Sequence, residues 1–299
     1  MRGAARLLIA TAAAATLVTG CAPAQTPAPV TPTTTSDEDT TTTPPPHAAR
    51  HVHLGDSYAS GAGVSPLIED SPFTCLRSAK NYGEIVARDE GWTLTDVACA
   101  GATTDDLTAA QYEGVDPQLD VLSDATETVT MTLGGNDGYV FSTAVGECTR
   151  LGRSDPDGSP CAGVIARLTA QLNDDTRPAL VDALRRIRKA APHAKIYLAG
   201  YPRIVPATGG CHDLVPLGAG DVPLLSGLTD DLNTVLRTAA RTVGGITYVD
   251  TAGPSEGHDV CAGAERWIEP IKAGPGSMHP NARGQQAIAD AVVAAMAGR

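Results

Sequence analysis

Three short segments, far apart in the chain, carry the residue types of acyl transfer. They are Gly55-Asp56-Ser57-Tyr58-Ala59-Ser60-Gly61, Gly134-Gly135-Asn136-Asp137 and His279-Pro280-Asn281. Acyl transfer at neutral pH needs a nucleophile, a base and donors for the oxyanion. Ser57 offers the nucleophile, His279 the base and Asn136 a side-chain donor. An isolated serine in a turn more often caps a helix, and a lone loop asparagine or histidine is equally bland. The combination carries the signal, because each segment falls at the end of a predicted element. Ser57 follows an apolar strand pattern, Asn136 lies just past another strand, and His279 precedes a C-terminal helix. A helix starting after Ser57 aims its amides at developing negative charge. Pro280 suits a first helical position, and the positive helix end beside His279 would favour the neutral ring.

The elements that must position these residues alternate in type. Strand patterns cover Val52-His53-Leu54, Trp92 to Ala98, Thr128 to Leu133, Ile196 to Ala199 and Ile246 to Val249. Helical patterns cover residues 163–190, 224–243 and 282–297, the first with Val164, Leu168, Leu172, Leu180, Leu184 and Ile187 at helical spacing. Pro178 is expected to kink or break that run. Strands alternating with helices predict a parallel sheet covered on both faces. Ligands in such sheets bind beyond the carboxyl ends of the strands, where Ser57 and Asn136 both fall. There is no internal repeat.

The first twenty residues read as a leader. Arg2 and Arg6 precede the apolar run Leu7 to Val18, and Val18-Thr19-Gly20-Cys21 is a small-residue cleavage site ending in cysteine. The run is short and alanine-rich for a membrane span. It predicts a lipoprotein signal, with cleavage before Cys21, lipid on that sulfur and attachment at the outer face of the cytoplasmic membrane. Without the lipid, the same leader predicts secretion. Residues 21–48, rich in Thr and Pro, lack the apolar side chains to offset ordering entropy and predict a disordered tether. Residues 49–299 are left for one α/β domain, expected to act as a monomer. The chain carries a net charge of -12, and removal of Arg2 and Arg6 takes it to -14. Such a domain is a poor partner for nucleic acid.

Beyond Cys21 lie Cys75, Cys99, Cys148, Cys161, Cys211 and Cys261. An even count in an exported chain implies disulfides, and six cysteines allow fifteen pairings, among which the sequence does not choose. The lack of any Cys-x-x-Cys pair argues against a zinc site. His51 and His53 share one face of a central strand, which is unusual. With no further ligands evident, they predict hydrogen-bonded structural histidines rather than a metal pair. No metal and no cofactor are expected.

From about residue 50 to 297 the chain resembles the SGNH (GDSL) hydrolases, in the secreted bacterial lipase and esterase branch with three disulfides. The matching pieces are the Ser57 segment, Ala98-Cys99-Ala100-Gly101-Ala102-Thr103, Leu133-Gly134-Gly135-Asn136-Asp137, Gly200-Tyr201-Pro202-Arg203 and His279-Pro280-Asn281. The four name-giving positions are Ser57, Gly101, Asn136 and His279. The resemblance implies a flavodoxin-like three-layer α/β/α sandwich with a mainly five-stranded parallel sheet. It assigns the oxyanion hole to the Ser57 and Gly101 amides and Asn136. It also favours pairing Cys75 with Cys99, Cys148 with Cys161, and Cys211 with Cys261.

One departure stands out. Many family members carry an aspartate three residues before the histidine, and here that position is Gly276. The expectation is therefore a Ser57–His279 dyad, with the ring oriented by the backbone carbonyl of Gly276 or Ser277. A distant carboxylate, Asp259 or Glu269, is the competing partner, and His258 the competing base. The function implied is hydrolysis of carboxylic esters through an acyl-enzyme, on a small-molecule or lipid ester. Acyl transfer to another acceptor and idle binding of acyl or glycan ligands are the alternatives. Specificity is expected from loops at 138–161 and 201–222. With two Phe and two Trp in the chain, a broad aromatic platform for carbohydrate is not expected.

Overall fold

The computed structural model of the protein describes residues 50–272 and 274–298. The expected leader, Cys21 and the tether lie outside the described residues.

Strands β1 (Arg50–Gly55), β2 (Thr93–Asp96), β3 (Thr128–Thr132), β4 (Lys195–Ala199) and β5 (Ile246–Val249) form one sheet in the order β2-β1-β3-β4-β5. All pairings are parallel, with Leu54 opposite Met131 and Val129 opposite Ile196. Parallel neighbours need long crossovers. Helices α1 (Ser57–Ser60) and α2 (Tyr82–Glu90) lie between β1 and β2, helices α3 (Val140–Gly152), α4 (Ala162–Gln171) and α5 (Arg177–Ala190) between β3 and β4, and α6 (Val222–Val243) between β4 and β5. Helix α7 (Ala282–Met296) follows β5, and the crossover from β2 to β3 holds only short 3-10 turns.

The alternation of side chains along the strands divides the core. Val52, Leu54, Val129, Met131, Ile196 and Leu198 face a large apolar layer built with Leu168, Leu184, Leu225 and Leu232 of α4, α5 and α6. Tyr197, Ala199 and Val249 face Ile85 and Val86 of α2 and Ile288 and Val292 of α7. The result is a three-layer sandwich with the flavodoxin-like strand order. The order reverses between β1 and β3, and the chain leaves those strands into the Ser57 and Asn136 segments. Ligands in open α/β sheets bind in the crevice at such a reversal.

Two element ranges and one helix-start residue need correction. The 163–190 run is neither one regular helix nor broken at Pro178. Helix α4 passes through a single π turn, Leu172–Thr176, into α5, with right-handed helical backbone angles at the junction residues Gln171, Leu172, Thr176 and Arg177. Pro178 has no N–H to give its preceding turn, and the wider register there lets the helix continue. The predicted strand Trp92 to Ala98 is shorter. The Trp92 N–H is spent on Ala87 O at the end of α2, and Asp96 turns its carboxylate to the Ala98 N–H (2.9 Å) and Asn81 Nδ2 (2.7 Å). Helix α7, Ala282–Met296, matches the predicted 282–297, but Pro280 is not its first residue, because Asn281 caps it by accepting from the Arg283 and Gly284 N–H groups.

All six cysteines of the domain are paired: Cys75–Cys99, Cys148–Cys161 and Cys211–Cys261. The first ties the segment after α1 to the loop that carries Gly101. The other two fasten α3 to α4, and the chain after β4 to the chain after β5.

Candidate active site

Each site segment is held by its own local chemistry. Ser57 is the first residue of α1. Asp56 caps that turn, its Oδ1 accepting from the Tyr58 N–H at 2.9 Å, and Gly61 closes it in the left-handed conformation. Four residues make too short a helix to stand alone, so the turn is fixed by what surrounds it. Asp56 Oδ2 accepts from the Tyr201 hydroxyl at 2.5 Å, and that hydroxyl accepts from the Gly135 N–H at 2.8 Å. The nucleophile turn and the Asn136 loop thus share one buried clamp. Burial pushes Asp56 up to about 7, against the Tyr201 and Tyr58 bonds that favour its charge. Asp137 makes a second clamp, accepting from the Thr104 N–H at 2.8 Å, which ties the Asn136 loop to the Gly101 loop. Burial lifts Asp137 to about 6.

Between these anchors Ser57, His279 and the oxyanion candidates converge. His279 Nε2 lies 2.7 Å from Ser57 Oγ, and Nδ1 lies 2.7 Å from Ser277 O. With Nδ1–H donating to the carbonyl, Nε2 is the unprotonated nitrogen that accepts from the serine hydroxyl. Among the described residues the Ser57 and Gly101 N–H groups donate to no protein acceptor. Gly101 holds φ +83°, a left-handed conformation open to glycine. Asn136 Nδ2 donates to Ala102 O at 3.0 Å, which fixes the amide and leaves its second hydrogen free. A serine hydroxyl with an adjacent imidazole, beside three N–H groups without protein partners, can attack a carbonyl and hold the resulting oxyanion.

The structure separates the candidates for orienting His279. Ser277 supplies the carbonyl. Gly276 O accepts from the His279 N–H instead, at 3.1 Å. Asp259 accepts from the Cys261 N–H at 2.8 Å, and Glu269 pairs with Lys272 Nζ at 2.9 Å. Neither carboxylate bonds the ring. His258 stacks on Trp267 and bonds Glu265 O, remote from Ser57. The missing aspartate has a steric cause. Gly276 sits at φ +90° with its face against Gly63, where a Cβ would lie 2.9 Å from Gly63 Cα. No carboxylate side chain fits there without moving the turn. His279 is held below its ordinary pKa by burial, with the Ser277 bond opposing. Burial thus replaces the helix end as the reason for a neutral ring, since α7 begins beyond Asn281.

His51 and His53 lie on β1, outside the lining of the cleft over Ser57. Both are buried, and both bond Thr130 Oγ1, at 2.7 and 2.8 Å. His53 Nε2 reaches Ala59 O at 3.0 Å. Among the described residues no group of three His, Cys, Asp or Glu could hold a metal ion.

A cleft of about 620 Å³ opens over Ser57, within the usual size of a small-molecule site. Its walls are mainly apolar, with Leu76, Phe141, Val145, Ile204 and Met278 prominent. The 138–161 region contributes as predicted by position, but as helix α3 rather than a loop. Leu76 and Tyr112, in segments with no signal of their own, line it too. Sequence reasoning also missed Asp56, Tyr58 and Tyr201 as supports. Gly200-Tyr201-Pro202-Arg203 was visible as a motif, but nothing in it announced a hydroxyl reaching back to Asp56.

The comparisons with known proteins agree with this geometry. Residues 53–287 match the model of the GDSL-like Lipase/Acylhydrolase family. "Lipase 2" of Streptomyces coelicolor is 44% identical over 247 residues, covering 80% of this chain and 83% of that protein. Among solved structures, phospholipase A1 from Streptomyces albidoflavus NA297 superposes with a TM-score of 0.73 at 28% identity, over 83% of this chain and 99% of that one. The extracellular lipase from Streptomyces rimosus gives 0.72 at 29%, over 83% and 100%. The chain belongs to the GDSL-like lipase/acylhydrolase family and is an ester hydrolase of its lipase and esterase branch.

Proposed function

We propose that the protein is an exported serine esterase that cleaves carboxylic esters of apolar acyl chains with a Ser57–His279 dyad. The observation that carries this reading is the 2.7 Å contact between His279 Nε2 and Ser57 Oγ on the floor of the apolar cleft. Ser57 Oγ attacks the ester carbonyl carbon as His279 Nε2 takes its proton. The carbonyl oxygen becomes an oxyanion facing the Ser57 and Gly101 amides and Asn136 Nδ2. Collapse expels the alcohol, which receives the proton from His279. Water, deprotonated by the same nitrogen, then releases the acid and restores Ser57. Ser277 O keeps the ring in the tautomer that presents Nε2. Neither metal nor cofactor enters these steps.

The apolar walls of the cleft, and relatives named lipase and phospholipase A1, support a lipid ester as substrate. The leader pattern before Cys21 and six cysteines in three disulfides support export. The same pattern supports a lipid anchor at Cys21, with residues 22–48 as spacer to a monomeric domain. Turnover of a medium-chain p-nitrophenyl ester by residues 49–299, and its loss in Ser57→Ala with the fold intact, tests the catalytic reading. A folded Ser57→Ala variant keeping more than a few per cent of activity overturns it. Palmitate labelling that depends on Cys21 tests the anchor.

A further inference from the structure

We infer that the Tyr58 hydroxyl is a positioning group for the base, doing through the backbone part of what an aspartate does in a triad. This rests on the Ser57–His279 dyad proposed above. The family takes its name from a Gly-Asp-Ser-Leu run, and here Tyr58 occupies the leucine position. Its ring is buried, edge-on to Tyr201 at 5.0 Å and 5.1 Å from the His279 ring. Its hydroxyl donates to Met278 O at 2.7 Å.

Met278 is the residue between the carbonyl that orients His279 and His279 itself. It holds φ +59°, a left-handed conformation that costs an L side chain about 1–2 kcal/mol and persists only where the surroundings impose it. Two successive peptide groups are fixed here, each at both ends. In the first, Ser277 O accepts from His279 Nδ1 and the Met278 N–H donates to Glu269 O at 3.0 Å. In the second, the His279 N–H donates to Gly276 O and Met278 O accepts from Tyr58. Without the Tyr58 hydroxyl the second peptide keeps one anchor, and a buried carbonyl loses its partner. The Met278 turn is then free to rotate, taking Ser277 O off line from Nδ1. Tyr58 itself is rigid: its N–H donates to Asp56 and its carbonyl accepts from Gln285 Nε2 at 3.0 Å. Because it adjoins Ser57, one side chain sets the base against the nucleophile.

The test is Tyr58→Phe, with Tyr82→Phe as control and His279→Ala beside them. The Tyr82 hydroxyl is also buried and bonds Thr132 Oγ1 at 3.0 Å, so the control loses a comparable bond between residues that do not line the cleft. Tyr58→Phe should lower kcat about 10- to 100-fold, the scale of a small misplacement of reacting groups, with KM within about twofold. The acid limb of its kcat/KM profile should move to lower pH as the Ser277 carbonyl ceases to support the imidazolium. Tyr82→Phe should leave kcat within about twofold and the limb in place. A folded Tyr58→Phe enzyme with unchanged kcat overturns the inference. So does a kcat loss that Tyr82→Phe shares, or a Tyr58→Phe chain that does not fold, since both assign the hydroxyl to general stability. An active His279→Ala enzyme would instead refute the dyad itself.

Discussion

Histidines occupy two regions of this molecule, and their hydrogen bonds separate them. On β1, His51 and His53 both spend a ring nitrogen on Thr130, and the second nitrogen of His53 goes to Ala59 O. They brace β1 against β3 on the face covered by α2 and α7, and no ring nitrogen of His53 is free for a substrate. His279 has a backbone partner on one nitrogen only, and the other meets Ser57 at the floor of the cleft. Burial disfavours the charged form in both regions, holding His279 below its ordinary value and His51 down to about 3. What makes one histidine a base and the others struts is therefore an accessible second nitrogen beside a nucleophile, rather than basicity.

Substitutions in the two regions should act on different quantities. His279→Ala should cut kcat by about 10⁴ or more while leaving the thermal midpoint within a few degrees. Asn136→Ala should cost about 10²–10³ in kcat with little change in KM. His51→Ala should do the reverse. It should lower unfolding free energy by about 2–3 kcal/mol, read by denaturant titration, and leave kcat per folded molecule unchanged. A His51→Ala enzyme that is stable but inactive would erase the distinction.

Acid should separate the regions in the same way. Activity needs neutral His279, so kcat/KM should fall as pH drops, with a midpoint below the ordinary histidine value of about 6.5. His51 is neutral in the fold, while the unfolded chain takes up that proton below about 6.5. Its contribution to stability is therefore present above 6.5 and lost as pH falls toward 3. The gap between thermal midpoints at pH 7 and pH 4.5 should narrow in His51→Phe. The smallest effects belong to the carboxylates that do not reach the ring. Asp259→Asn and Glu269→Gln should each keep kcat/KM within about tenfold, or 1.4 kcal/mol. A thousandfold loss in either would identify an acid partner for His279.

Strand alternation, helix spacing and motif order made the architecture legible in the sequence, because they follow from periods of two and 3.6 residues. The residues placed around the cleft floor were legible for a different reason. Ser57, Asn136 and His279 stand at element ends beside turn formers. Their supports were not legible. The Tyr201 hydroxyl reaches Asp56 across 145 residues and Tyr58 reaches Met278 across 220, and no local pattern encodes such contacts. The vacant aspartate position could be read as Gly276, but its cause could not. The facing glycine, Gly63, becomes a neighbour only in the folded chain. The span of α7 was legible at 282–297, but Pro280 and Asn281 are both helix-start residues, and only the Asn281 side chain, accepting from the Arg283 and Gly284 N–H groups, decides between them.

Covalent trapping tests the paired action of Ser57 and His279 most directly. A p-nitrophenyl alkylphosphonate, a tetrahedral mimic of the attacked ester, should add one phosphonyl group per chain with release of p-nitrophenol. Peptide mass mapping should place it on Ser57, and His279→Ala should label at least about a thousandfold more slowly. Labelling of a different residue, or of Ser57 at an undiminished rate in His279→Ala, would contradict the dyad.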